Sequence, residues 1–386
     1  MNPSLHIATA LAILATTGFA AGEPLPKKEE NLSFRNEVKV ALDKGLAWLK
    51  AQQKEDGSWS TADHPALTAL PLLAFQREPT GRYAQQPEFL KKGYDFLRSH
   101  AKPDGGIYNV GLSNYNTSVA MMALLAHGEP KDEPLILSAR RFIAGQQASG
   151  MAKQELDGGF GYGPTGASPK RQHPDLDNTL ISLEALRTFA KARPNTELAA
   201  GKDLDWKAAL DFISRCQNLP GTNKEPWVSG DPANKGGFVY YPGFSNAGEE
   251  DLPGGKKALR SYGTITYAGL LSFIYAELPK DDQRLTATLD WLRKNYTLEE
   301  NPGMGKQGFY YYLHLAAKGL ASAGIETFQT ADGKKIDWPR EIATKLMNLQ
   351  NADGSWVNDT ARWMEKDPAL VTSYGVMSLE IIYHRL

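Results

Sequence analysis

The stretch Arg171-Gln172-His173-Pro174-Asp175-Leu176-Asp177-Asn178-Thr179 sets two carboxylates two positions apart, just ahead of the apolar pair Leu180-Ile181. Paired carboxylates suit acid chemistry. Burial and a second carboxylate nearby raise one of the two pKa values, whereas the positive end of a helix lowers it. An acid kept neutral in this way can hand over a proton. The same residues have a plainer use, because Asp and Asn are preferred N-caps and Asp177 or Asn178 before Thr179 reads as an ordinary cap. By residue type, His173 to Asp177 could also ligate a metal. Neighbouring positions on one loop make a poor ligand set, however, and no metal or cofactor is expected.

These residues need a helix to hold them, and the chain announces its helices by repetition. Gln53-Lys54-Glu55-Asp56-Gly57-Ser58-Trp59 returns near the other end as Gln350-Asn351-Ala352-Asp353-Gly354-Ser355-Trp356. Self-similarity of this kind marks a repeat protein. An amphipathic run precedes the phrase, as in Ala41 to Leu49, and an almost wholly apolar run follows it, as in Pro65 to Ala74. The first reads as an outer helix with one polar face, the second as a buried inner helix. Asp-Gly or Gly-Gly between them is turn chemistry. Six such units can be counted: outer runs ending near Gln53, Ala101, Gln147, Gln217, Tyr296 and Gln350, turn glycines near Gly57, Gly105, Gly158, Gly236, Gly308 and Gly354, and inner runs starting near Ala66, Asn116, Asn178, Thr264, Tyr310 and Ala369. Buried inner helices and matching ends predict an all-α double ring of helical hairpins, an α6/α6 toroid, whose closure removes the need for capping repeats. Asp175 to Thr179 opens the third inner helix.

The Gln-x-x-Asp-Gly-Ser-Trp phrase resembles the QW motif of squalene–hopene and oxidosqualene cyclases, which share an α/α-toroid superfamily with protein prenyltransferase β-subunits. The resemblance covers roughly residues 35–386. In the cyclases an Asp-x-Asp-Asp-Thr stretch opens an inner helix, and its middle acid protonates a terminal alkene. The resemblance therefore implies Asp177 as proton donor and Asp175 as its flanking acid. Asn178 departs from the pattern and removes one acidic group. It also implies an axial cavity lined where inner helices begin, so Tyr115, Tyr262, Tyr311 and Tyr374, with Asn178 and His173, are expected to contact substrate. Aromatic faces stabilise carbocations, but Tyr can equally stack on sugars or fill core space. Tyr262 and Tyr374 share a Ser-Tyr-Gly phrase and are expected at equivalent places. The phrase's Gln and Trp should tie neighbouring hairpins together, with Gln53 and Gln350 bonding free amides at a helix N-terminus.

Composition narrows the function. With 386 residues and a net charge of −1, the chain has no basic surface to recruit nucleic acid. Its single cysteine, Cys216, excludes an internal disulfide. No Asp stands two residues before it, which excludes the zinc site of protein prenyltransferases. Residues 1–22 read as a signal peptide, with the apolar run Leu5 to Phe19 too short to span a bilayer comfortably. Residues 23–34 then read as a linker and 35–386 as the toroid, an exported protein whose contact with membranes is left open. Two long insertions, Gly150 to Pro174 and Pro220 to Gly255, are expected near the cavity rim. Three classes remain: a proton-initiated polyprene cyclase, an exported polysaccharide-degrading enzyme, or a non-catalytic binding toroid.

Overall fold

The computed structural model describes residues 31–164, 173–252 and 255–386. The expected signal peptide, most of the expected linker, and Arg171 and Gln172 lie outside these residues.

Among the described residues, twelve α-helices alternate between outer and inner positions. The outer helices are α1 (Leu32–Ala51), α3 (Glu88–Ser99), α5 (Glu133–Ala144), α7 (Trp206–Arg215), α9 (Gln283–Asn295) and α11 (Trp338–Leu349). The inner helices are α2 (Ala66–Gln76), α4 (Ser113–His127), α6 (Leu176–Ala192), α8 (Gly263–Tyr275), α10 (Phe309–Ser322) and α12 (Pro368–Tyr383). Helix α1 starts at Leu32, inside the stretch read as linker. Hydrophobic patterning decides the layer. In α3 only one stripe is buried, Leu90, Gly93, Tyr94, Phe96 and Leu97, whereas α2 buries every residue from Ala66 to Phe75.

Each inner helix packs on the next, and α12 packs back on α2, so the inner ring closes. Outer helices lie over the seams: α5 touches α4 and α6, and α11 touches α10 and α12. This is the expected toroid of six hairpins.

The turn phrase latches each unit to the next. At Gly354, φ is +95°, and a Cβ there would stand 2.5 Å from the carbonyl oxygen of Lys44 in α1. Only glycine tolerates both the left-handed backbone and that approach. Gly57, Gly105, Gly158 and Gly236 make the same approach to Lys92, Ser138, Ala208 and Ala287 of the following outer helix. The glutamines reinforce the latch. Gln350 Nε2 donates to Gly354 O and to Ala41 O of α1, both at 2.9 Å, and Gln53 Nε2 donates to Gly57 O (2.9 Å) and Phe89 O (2.7 Å). Contrary to expectation, these two glutamines bond carbonyls rather than free amides, because one NH2 group carries two donors and can bridge two acceptors. The Trp residues are structural. Trp59 and Trp356 are fully buried, and their indole N–H groups donate to Leu49 O (2.7 Å) and Leu346 O (2.8 Å) of their own outer helices.

A second latch was not foreseen. The backbone N–H of Trp59, Ile107, Phe160, Phe238 and Trp356 donates to the hydroxyl of Thr68, Thr117, Thr179, Thr266 and Thr372 respectively, at 2.9–3.1 Å. Unit five breaks the pattern. Gly308 is not a latch glycine; it is the N-cap of α10 with φ +64°, and it packs beside Trp363. The buried Asn301 holds this turn instead, donating to Gln307 O (2.9 Å) and accepting from Thr264 N of α8 (2.9 Å).

The second insertion is built into the wall. Asn218, fully buried, donates to Leu259 O and Ser261 Oγ, both at 2.9 Å, and strand β1 (Glu249–Leu252) pairs antiparallel with β2 (Lys256–Leu259).

Candidate active site

The start of α6 is over-determined. Asp175 is the N-cap: its Oδ1 accepts from Asn178 N (2.8 Å) and its Oδ2 from Asn178 Nδ2 (2.7 Å). Its backbone is tied to Phe160 O (3.1 Å), and Leu176 N donates to Tyr240 O (2.9 Å). The cap is thus neither Asp177 nor Asn178, as the plainer reading had it. Capping by Asp175 leaves Asp177 without a structural task. Asp177 keeps some solvent contact as a residue, yet its Oδ1 is shielded and has no hydrogen-bond partner.

The two carboxyls are both raised, for unequal reasons. Burial lifts Asp175 to about 7, while the Asn178 amide groups and the Tyr240 hydroxyl pull in the opposite direction by bonding its anion. Burial and then the charge of Asp175 lift Asp177 to about 8, with nothing opposing them. The opposing hydrogen bonds at Asp175 and their absence at Asp177 favour Asp177 as the carboxyl of the pair that keeps a proton.

The inner helices face the axis with steps of four and three residues. Tyr115, Val119 and Met122 do so on α4, Ile181 and Glu184 on α6, Tyr311, Leu315 and Lys318 on α10, Leu70 and Leu73 on α2, and Tyr374 and Met377 on α12. Asp177 stands one turn above Ile181 in the same row. The upper layer of the lining contains Tyr115 and Tyr311, with Asp177 one turn beyond Ile181 and outside the lining itself; the lower contains Met122, Glu184, Lys318 and Met377. The Tyr311 and Tyr374 rings lie 5.3 Å apart, and His314 stacks on Tyr374 at 5.5 Å. Burial raises the phenols, Tyr115 to about 12, and Asp177 adds to the rise at Tyr115, Tyr262 and Tyr311. These hydroxyls stay neutral. The cavity is narrow, leaving about 40 Å³ for the centre of a water-sized sphere.

Of the residues expected to contact substrate, Tyr115, Tyr311 and Tyr374 line this cavity. Tyr262 does not line it; it is buried at the N-cap of α8, and its hydroxyl accepts from Asn246 (3.1 Å) of the second insertion. Tyr262 and Tyr374 are not equivalent. Tyr262 precedes the latch residue Thr266 by four positions, whereas Tyr374 follows Thr372 by two. Asn178 is buried and holds Asp175. His173 lies outside the tyrosine layer against Tyr241, ring centres 4.1 Å apart. Tyr240 was missed; its hydroxyl bonds Tyr162 (2.7 Å), so both insertions reach the upper end beside Asp175. Glu365 was missed too. It is buried in the loop before α12 and caps α10 by accepting from Tyr311 N (2.8 Å).

The lower layer holds a buried pair of opposite charges. Lys318 forms a buried ion pair with Glu184, whose other oxygen is unpartnered. Burial lowers Lys318, and burial followed by Lys318 and Arg77 drives His314 well below its usual range. The four-and-three spacing, run down from Asp177 and Tyr311, points to Glu184 and Lys318.

No family model matches the chain. Lanosterol synthase of Aspergillus fumigatus is 30% identical over 144 residues, covering 32% of this chain and 19% of that protein. Squalene–hopene cyclase of Alicyclobacillus acidocaldarius is 26% identical over 172 residues, 42% of this chain and 25% of the cyclase. The chain thus spans about a fifth to a quarter of these curated relatives. Among solved structures, the type II terpene cyclase MstE from Scytonema, bound to geranylgeranyl dihydroxybenzoate, superposes with a TM-score of 0.55 at 13% identity, covering 92% of this chain and 100% of the other. An inactive variant of the α-1,6-mannanase GH76A of Salegentibacter sp. HEL1_6, bound to α-1,6-mannotriose, gives 0.57 at 9% identity over 90% of this chain and 100% of the other. The fold is that of the squalene cyclase-like α/α toroids, as the repeated phrase implied.

Proposed function

We propose that this protein is a proton-initiated cyclase acting on an apolar polyprene, with Asp177 as the acid. One observation carries the reading: a carboxyl held neutral, with a shielded oxygen that bonds nothing, beside a cavity walled by aromatic rings. The curated matches to lanosterol synthase and squalene–hopene cyclase support it. Asp177 would place its proton on a terminal alkene carbon, the π pair forming the new C–H bond and leaving a tertiary cation. The next alkene's π pair closes a carbon–carbon bond, and the last cation loses a proton to water. Asp177 regains a proton from solvent, so the net reaction is an isomerisation. Tyr115, Tyr311 and Tyr374 present π faces to the migrating charge, and their neutral hydroxyls are poor traps for it. Entry of a polyprene requires the narrow cavity to widen, which Met122 and Met377 allow by changing rotamer.

The test is incubation of the full chain with squalene and geranylgeranyl compounds in deuterated buffer. One deuterium per isomerised product is expected, and none with Asp177→Asn, which changes the acid to an amide of the same shape. Undiminished turnover by that variant, or no product from any polyprene, would sink the reading.

The glycan-degrading alternative has one observation in its favour. Asp177 and Glu184 share one face of α6, two turns and roughly 10 Å apart along the axis, close to the carboxylate spacing of inverting glycosidases. Release of sugars from α-1,6-mannan, lost in both Asp177→Asn and Glu184→Gln, would select it. Export is proposed as well, on the apolar run Leu5 to Phe19 and the small residues Ala20-Ala21-Gly22 that follow. An intact Met1 on the native protein would overturn it.

A further inference from the structure

At the lower end of the axial cavity stands a guanidinium with no carboxylate to neutralise it. Arg77 closes α2, lines the cavity and is only partly buried. Among the described residues its one recorded side-chain contact is to the Met377 sulfur at 4.0 Å, and no carboxylate lies within ion-pair distance. Its charge is nonetheless felt by Tyr275 on α8, His314 and Lys318 on α10, and Glu380 on α12. Arg77 shares the cavity lining with Glu184 of α6 and Lys318 of α10, across the ring from α2.

The groups around it favour an anion. Lys318 already spends its charge on Glu184, and His314 is kept neutral by burial and by the two cations. Glu380 is buried with both oxygens unpartnered, and burial drives its carboxyl far above the usual range, which disfavours its anion as a counter-charge for Arg77. A carboxylate fits Arg77, because the guanidinium fork matches its two oxygens. An uncharged head would leave Arg77 without an anionic partner.

We propose that Arg77 forms a subsite for the carboxylate head of an amphiphilic ligand. The ligand's apolar tail runs up between Leu73, Met122 and Leu315 toward Asp177. The inference rests on the cyclase reading for the tail, but the head-group site is tested by binding alone.

The experiment measures the affinity of the full chain for geranylgeranoic acid and for geranylgeraniol, which differ only in the head. The acid should bind at least about tenfold more tightly, equivalent to about 1.4 kcal/mol. Arg77→Gln should erase that preference by weakening the acid alone, and Arg77→Lys should keep part of it. Equal affinity for acid and alcohol in the wild type overturns the subsite, as does failure of both to bind. A loss in Arg77→Gln that is the same for both probes overturns it too. Asp177→Asn separates the two proposals. An acid preference that survives in this variant supports the subsite even if no turnover is ever seen, whereas turnover without an acid preference leaves the cyclase standing and removes the subsite.

Discussion

Asp177 and Glu184 sit on one helix, on one face, two turns apart, and live in opposite electrostatic worlds. Burial, and then a second carboxylate with no cation nearby, push Asp177 toward its protonated form. Glu184 has Lys318 as a partner, with Arg77 below. Burial acts on both ends of the cavity. What differs is the partner that each ring neighbour supplies, and that partner decides whether a buried acid serves as donor or as counter-ion. The upper end favours a neutral carboxyl and the lower end an ion pair.

The strongest way to break this contrast is to remove the cation below. Lys318→Met strands Glu184 in a buried site, and loss of one member of a buried pair costs about 3–5 kcal/mol. Denaturant unfolding at pH 8 should show a loss of that order. The double variant Lys318→Met/Glu184→Leu should recover most of it, since replacing a buried pair by apolar residues is close to neutral. Equal stability of the single and double variants would mean that the pair does not govern the lower end.

A smaller effect is expected at the upper end, and it depends on pH. The folded pKa of Asp177 lies near 8, and that of an unfolded Asp near 4. Between those values the folded state binds the proton and the unfolded state does not. Wild-type stability contributed by this group is therefore fully present below about pH 4 and is lost as pH rises toward 8. Asp177→Asn removes the dependence. Its melting temperature, measured against the wild type, should gain on moving from pH 5 to pH 9, by about 2 °C for each kcal/mol recovered. A difference that does not change with pH would mean that Asp177 is ionised in the folded protein.

How much of this was legible follows from the range over which each signal acts. The latch of Gly354 and Trp356 depends on one turn and one neighbour, so the repeated phrase revealed the ring. Gly308 misled because a glycine reports a backbone conformation and not which helix it will meet. The cap was assigned to Asp177 or Asn178 instead of Asp175 because helix starts are defined in sequence only to within a residue or two. The Ser-Tyr-Gly phrases of Tyr262 and Tyr374 look alike, but the distance to the latch threonine sets which way each tyrosine faces. Arg77, Glu184 and Lys318 come from three inner helices. They meet only because the ring closes, and no local pattern states that.

The smallest effect separates the two roles of Asp175. It caps α6 and it raises Asp177 by its charge. Asn caps helices as well as Asp does, so Asp175→Asn should leave the melting temperature nearly unchanged while deleting the neighbouring charge. Asp175→Ala should lose the cap, at a cost of about 1 kcal/mol. With Asn in place, burial alone holds Asp177 up, and its pKa falls. On the proposed mechanism turnover needs the protonated acid, so the alkaline limb of the pH–rate profile should move to lower pH. The displacement should be modest, because burial is the larger of the two causes. An alkaline limb that stays put in Asp175→Asn would mean that Asp175 only shapes the helix start, and the difference between the two ends of α6 would then rest on burial and Lys318 alone.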